Sequence, residues 1–203
     1  LQIGDVDIAQ FKNVSVAVDD RMPPVLDVLR EADKTFRPVP TLHGGQATSY
    51  AAKGGLRVDF LTPNEGADTD KPQRLPALQT AAQPLRFLDF LIHEPEPAVI
   101  LHGPGIYVNV PSPHRYAVHK LMIARRRREG AAKRDKDARQ AESLLTFLSQ
   151  KRSYELKSAW DDAYKRGKEW QKLLQEGLAQ LSPPAQEKIL DIVGRVPGPS
   201  TQR

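Results

Sequence analysis

A chain of 203 residues, 39% hydrophobic and 27% charged with a formal net charge of +5, can bury a core and has room for a sheet domain beside a helical partner. It contains no cysteine, which excludes disulfides and thiolate metal sites, and no stretch approaches the roughly 20 apolar residues of a membrane span. Acids stand at the start where a signal peptide needs a basic and then an apolar segment, so a soluble, cytoplasmic protein is expected. Leu1 is not an initiator methionine, and a missing upstream segment is expected.

The run Ile3-Gly4-Asp5-Val6-Asp7-Ile8 alternates acidic and apolar residues. In a strand this sets both carboxylates on one face and turns Val6 and Ile8 toward a core. Two like charges on one face repel. Solvent at an exposed strand relieves that cost, and so does a hard divalent cation between the carboxylates, so the pair reads either as a solvated strand or as metal ligands. Val14, Val16 and Val18 keep period two and predict more extended chain. Asp19-Asp20 then offers a cap, Pro23 and Pro24 fit a first helical turn, and Val25, Val28, Leu29 and Ala32 follow at helical spacing, which predicts a helix lying on the sheet.

After the glycine pairs at 44–45 and 54–55, Leu56, Val58 and Phe60 alternate with Arg57, Asp59 and Leu61, so Asp59 takes the face opposite three apolar side chains. Residues 62–83, rich in Pro, Asp, Gln and Thr, show no apolar period and predict a long loop. Residues 84–93 form the most hydrophobic strand candidate. Two further strands, at 98–101 and 106–110, flank the Gly103-Pro104-Gly105 turn, and three antiparallel neighbours are expected. To about residue 111 the pattern is a small mixed sheet with at least one covering helix.

Past Pro111 the pattern becomes helical. Ser112 caps and Pro113 opens a helix to about residue 128, and a second spans about 133–150. A third covers about 154–181, with Leu156, Trp160, Ala163, Gly167, Trp170 and Leu174 as its stripe; a fourth follows Ser182-Pro183-Pro184 and ends by Gly194. The expected division is a sheet domain at 1–111, a helical domain at 112–196 and a disordered tail at 197–203. Charge is concentrated at 113–139, where ten Lys/Arg face three Asp/Glu, giving +7 and leaving −2 elsewhere. Within it Arg125 and Arg127 are candidates to meet a polyanion such as RNA or a nucleoside triphosphate; the same run also reads as the solvated C-terminus of a helix. Lys120 has Tyr116, Ala117, Ile123 and Ala124 at i−4, i−3, i+3 and i+4, a largely apolar face on which its charge needs an anion. Asp137, at the head of a stripe continued by Ala141, Leu144 and Leu148, is one candidate, and a phosphate is the other; Asp137 can equally pair with Lys133 or Arg134 on its own helix. The five histidines lack zinc-ligand spacing, and no Ser/His/Asp triad is legible.

In this order, Asp5-Val6-Asp7-Ile8, Arg57-Val58-Asp59-Phe60-Leu61-Thr62-Pro63, Pro113-His114-Arg115-Tyr116-Ala117-Val118-His119-Lys120-Leu121 and Lys136-Asp137 resemble the polymerase-β-type nucleotidyltransferase superfamily. Within it the pattern is similar to the AbiEii-type and bacterial nucleotidyltransferase-like proteins over most of residues 3–141. The resemblance implies an α+β fold, a small mixed sheet of the nucleotidyltransferase type with a covering helix followed by a C-terminal helical bundle. It implies metal-dependent transfer of a nucleotide from an NTP to RNA, a protein or a small molecule, with pyrophosphate released. It also implies that Asp5, Asp7 and Asp59 hold Mg²⁺ or Mn²⁺, that Lys120 contacts the triphosphate and that Asp137 positions Lys120 or the nucleotide; Asp89 in Phe87-Leu88-Asp89-Phe90 is a rival third carboxylate.

One departure stands out. The superfamily's phosphate-binding Gly-Ser or Gly-Gly turn lies about a dozen residues before the aspartate pair, and only four residues precede Asp5. Gly44-Gly45 comes fourteen residues before Asp59, but Asp59 has no carboxylate two residues on, so that pair is read as a decoy. Either the turn lies upstream of Leu1, or the alternative holds: a nucleic-acid- or partner-binding protein on an inactive transferase scaffold. The oligomeric state is open.

Overall fold

The computed structural model describes residues 4–12, 23–41, 45–126 and 131–194, with side chains except at 125, 126 and 131–134. The expected extended segment around Val14, Val16 and Val18, the Asp19-Asp20 cap, Gly44 and the tail at 197–203 lie outside the described residues. The fold is α+β, and the chain divides into two compact units, Leu1–Ile92 and His93–Arg203.

The first unit is a mixed six-stranded sheet. Its elements are β1 (Asp5–Ala9), α1 (Val25–Ala32), β2 (Arg37–Pro38), β3 (Ser49–Ala51), β4 (Arg57–Pro63), β5 (Gln73–Leu75), β6 (Thr80–Leu85) and α2 (Leu88–Leu91). The strand order is β2-β3-β4-β6-β5, and β1 lies parallel beside β4. Period two along β4 decides which face is core. Val58 and Phe60 are buried and join Phe36, Tyr50, Leu75 and Ala82 in one cluster, against which Val25, Leu26 and Leu29 of α1 pack. The Tyr50 ring meets Phe60 edge-on at 5.8 Å, and the Tyr50 and Thr80 hydroxyls share a hydrogen bond of 2.8 Å. That bond satisfies the polar tip of an otherwise buried ring.

Three expectations fail in this unit. Val6 and Ile8 do not reach a core: they remain 40% and 39% exposed, because β1 flanks β4 on one side only and its apolar side chains lie outside the cluster that α1 covers. Residues 62–83 are not one long loop, since β4 runs to Pro63 and β5, a single 3-10 turn (Pro76–Leu78) and the start of β6 follow. β5 is too short to show a period, and Thr80, Ala81 and Ala82 are all buried, so no alternation appears. Residues 84–93 are not a strand: β6 stops at Leu85, Phe87 at φ 64° turns the chain, and α2 buries Leu88 and Phe90.

In the second unit, β7 (Glu96–Ile100) and β8 (Ile106–Val110) form a two-stranded antiparallel hairpin of their own, in register from Glu96 opposite Val110 to Ile100 opposite Ile106. The expected three-strand antiparallel group is therefore not formed. Then come α3 (Pro113–Arg126), α4 (Ala131–Lys151), α5 (Ser153–Lys165), α6 (Lys168–Leu178) and α7 (Pro183–Val193). Leu121, Met122, Leu145, Leu148, Leu156, Trp160, Leu174 and Ile189 are its buried core. The single helix expected at 154–181 is two, because Gly167 at φ 120° leaves helical space between α5 and α6. No described helix is long and apolar enough to cross a membrane.

Candidate active site

The carboxylates that the sequence singles out lie on paired strands of one sheet. Because β1 runs parallel to β4 in register, Asp5 sits opposite Arg57 and Asp7 opposite Asp59, and all four side chains share the face away from Val58 and Phe60. Neighbouring strands are about 4.8 Å apart, so same-face side chains at register positions are within reach of one another. β3 extends the two rows, with Ala51 opposite Arg57 and Ser49 opposite Asp59. Asp59 is fixed rather than loose. Arg57 donates from Nε to its Oδ1 at 2.8 Å and from a terminal nitrogen to Ser49 Oγ at 3.0 Å. No motif marks Ser49 for this face, whereas the i, i+2 spacing of Arg57 and Asp59 on one strand signals Arg57.

The second group lies in the helical unit. Lys120 on α3 donates from Nζ to Asp137 Oδ1 on α4 at 2.7 Å, and its ammonium stands 5.3 Å from the centre of the Tyr116 ring. Asp137 is buried, at 3% exposure. Of the neighbours named for Lys120, Ala117 and Ala124 are buried, while Tyr116 and Ile123 are half-buried. One turn earlier, buried Arg115 ties down the start of α3. It donates to Asp162 Oδ2 at 2.7 Å and to Glu94 Oε2 at 2.9 Å. Glu94 is held below the usual carboxylate range by the hydrogen bond from Arg115 and then by its charge. For Asp162, burial works upward, but hydrogen bonds from Arg115 and Arg166 outweigh it and its carboxyl lies low.

The remaining candidates separate. Asp89 lies on α2, outside the paired rows of β1, β3 and β4. The side chain of Arg125 and the whole of Arg127 lie outside the described residues. Asp5, Asp7 and Asp59 belong to the first unit, and Lys120 and Asp137 to the second.

The donor set on the sheet fits a hard divalent cation, since carboxylate and hydroxyl oxygens are what Mg²⁺ and Mn²⁺ take. Among the described residues, no three acidic or histidine side chains are drawn together into a ready cation site. Asp59 Oδ1 holds the Arg57 guanidinium instead.

No curated protein and no solved structure matches the chain. A family model described as nucleotidyltransferase matches residues 1–165, a span that takes in the β1–β4 carboxylates, Lys120 and Asp137. The AbiEii-type resemblance finds no separate support there. With four-fifths of its length under that match, the chain belongs to the nucleotidyltransferase family and is a transferase.

Proposed function

We propose that this transferase moves a nucleotide from an NTP to an acceptor hydroxyl with release of pyrophosphate, and that Asp5, Asp7 and Asp59 hold Mg²⁺ or Mn²⁺ for it. The observation that carries the reading is the β1–β4 register, which sets Asp7 opposite Asp59 with Asp5 one row away on the same face. In the reaction the acceptor oxygen bonds to the α-phosphorus, the bond from that phosphorus to the oxygen bridging to the β-phosphate breaks, and the hydroxyl proton leaves. A bound divalent cation supplies Lewis-acid stabilisation of charge on the phosphate oxygens and lowers the pKa of a coordinated hydroxyl. The residues of the chain do the rest. Asp5 and Asp7 present two hard oxygen donors from one strand face, and Asp59 assists loss of the acceptor proton. In the helical unit, Lys120 is the candidate phosphate contact, and Asp137 holds its ammonium in place.

The acceptor we favour is RNA or another polyanion, because residues 113–139 carry +7 while the remainder of the chain is at −2. The family match favours this enzyme over the binding-scaffold alternative. Calorimetric titration of Mn²⁺, alone and with an NTP, tests the metal ligands. Weak binding that strengthens with the nucleotide is expected, and an Asp5→Asn, Asp7→Asn variant with wild-type affinity would remove the assignment.

A further inference from the structure

The carboxylate face carries its own cation. Arg57 stands in register opposite Asp5, donates to Asp59 Oδ1 at 2.8 Å, and is anchored from its other end by Ser49 Oγ at 3.0 Å. Its side chain is 49% exposed, whereas that of Asp59 is 24% exposed, so the guanidinium has room to swing outward while the carboxylate stays with the sheet. A guanidinium keeps its charge at every working pH. Three carboxylates on one face of two adjacent strands repel one another, and a fixed positive charge beside two of them relieves that repulsion without any bound ion.

We propose that Arg57 is an internal counter-ion, which occupies the carboxylate face until a divalent cation displaces it. The inference rests on the reading of Asp5, Asp7 and Asp59 as metal ligands and adds a positioning residue to it. Asp59 Oδ1 is the contested atom. An N–H donor and a cation at the roughly 2.1 Å that Mg²⁺ requires compete for the same oxygen, and a charge left nearby opposes the incoming one. The consequence is a threshold: the carboxylates alone hold the cation weakly, and the oxygens of a bound nucleotide tip the balance. Arg57 thereby couples metal occupancy to the presence of substrate.

The experiment titrates Mn²⁺ without nucleotide into the wild type, Arg57→Gln, Ser49→Ala and the Asp5→Asn, Asp7→Asn variant, each shown to be folded by circular dichroism. Arg57→Gln is expected to bind Mn²⁺ about tenfold more tightly, and Ser49→Ala, which only loosens the guanidinium, to shift the same way by about threefold. Melting gives a second reading. Without metal, Arg57→Gln should melt below the wild type, and saturating Mn²⁺ should close most of that gap. Unchanged or weaker Mn²⁺ binding by Arg57→Gln, with binding abolished in the double Asp variant, overturns the counter-ion role and leaves the ligand assignment standing. Wild-type Mn²⁺ binding by the double Asp variant removes the ligand assignment, and the counter-ion role falls with it. Loss of NTP affinity in Arg57→Gln at unchanged Mn²⁺ affinity also overturns it, by making Arg57 a phosphate contact.

Discussion

Lys120 carries its charge onto a helix face with Ala117 and Ala124 buried beside it, and Asp137 meets it at 2.7 Å with almost no exposure of its own. The pair is worth little as a net gain, because both ions lose hydration, but removing one partner leaves the other buried. Lys120→Met should therefore lower the unfolding free energy by about 2–3 kcal/mol in chemical denaturation, and Asp137→Asn by a similar amount. The proposed phosphate contact adds a separate forecast for Lys120→Met. A charge-assisted hydrogen bond to phosphate contributes about 1.5–3 kcal/mol, so NTP affinity should drop by an order of magnitude or more. Destabilisation with unaltered nucleotide binding would reduce Lys120 to a structural partner of Asp137.

At the scale of elements, α3 is the member on which the helical unit is built, and its approach to α6 depends on one missing side chain. A Cβ at Gly177 would lie 2.6 Å from Leu121 Cγ and 2.8 Å from the Leu121 carbonyl oxygen. In an isolated helix Gly→Ala is favourable by about 1 kcal/mol, but here a backbone atom blocks the methyl and the helices must part. Gly177→Ala should lower stability by about 1–3 kcal/mol despite its better propensity, read from the shift in denaturation midpoint. The start of α3 makes a pH forecast. Burial pushes His114 below its ordinary 6.5, with Arg115 and Arg152 adding to it against Glu96 and Glu155. A group whose folded pKa is lowered contributes stability that is fully present above its unfolded value and is lost as pH falls through the folded one. Stability should thus be level above about pH 6.5, decline below it, and decline again once pH passes below 3.8 to 4.5, where Asp162 and Glu94 give up their Arg115 bonds. His114→Gln should remove the first decline and leave the second, a result that denaturation series at closely spaced pH would check.

For the molecule as a whole, the uneven charge sets the expected behaviour toward polyanions. If residues 113–139 engage RNA, affinity should fall steeply with salt, and each phosphate contact removed by Arg125→Ala or Arg127→Ala should lower the log-log slope by about 0.7 to 0.9. Unchanged affinity and slope in the double variant would leave the basic run as a solvated helix end. How far this chemistry was written in the sequence depends on how local its cause is. The facing of Asp5 with Asp7, and of Asp59 away from Val58 and Phe60, follows from period two along a single strand, so sequence alone determined it. The α+β class and the helical character of the chain from Pro113 onward were legible for the same reason, since spacing of 3.6 and caps act within one segment. What spacing cannot supply is which strand lies beside which. Only the tertiary structure decided that β1 pairs with β4 in the register that sets Asp7 against Asp59 and Asp5 against Arg57, that Val6 and Ile8 fall outside the covered core, and that β7 and β8 form a two-stranded sheet of their own. The break at Gly167 belongs there too: a glycine tolerates both helix and left-handed backbone, and the packing of α5 and α6, rather than the residue, selects between them.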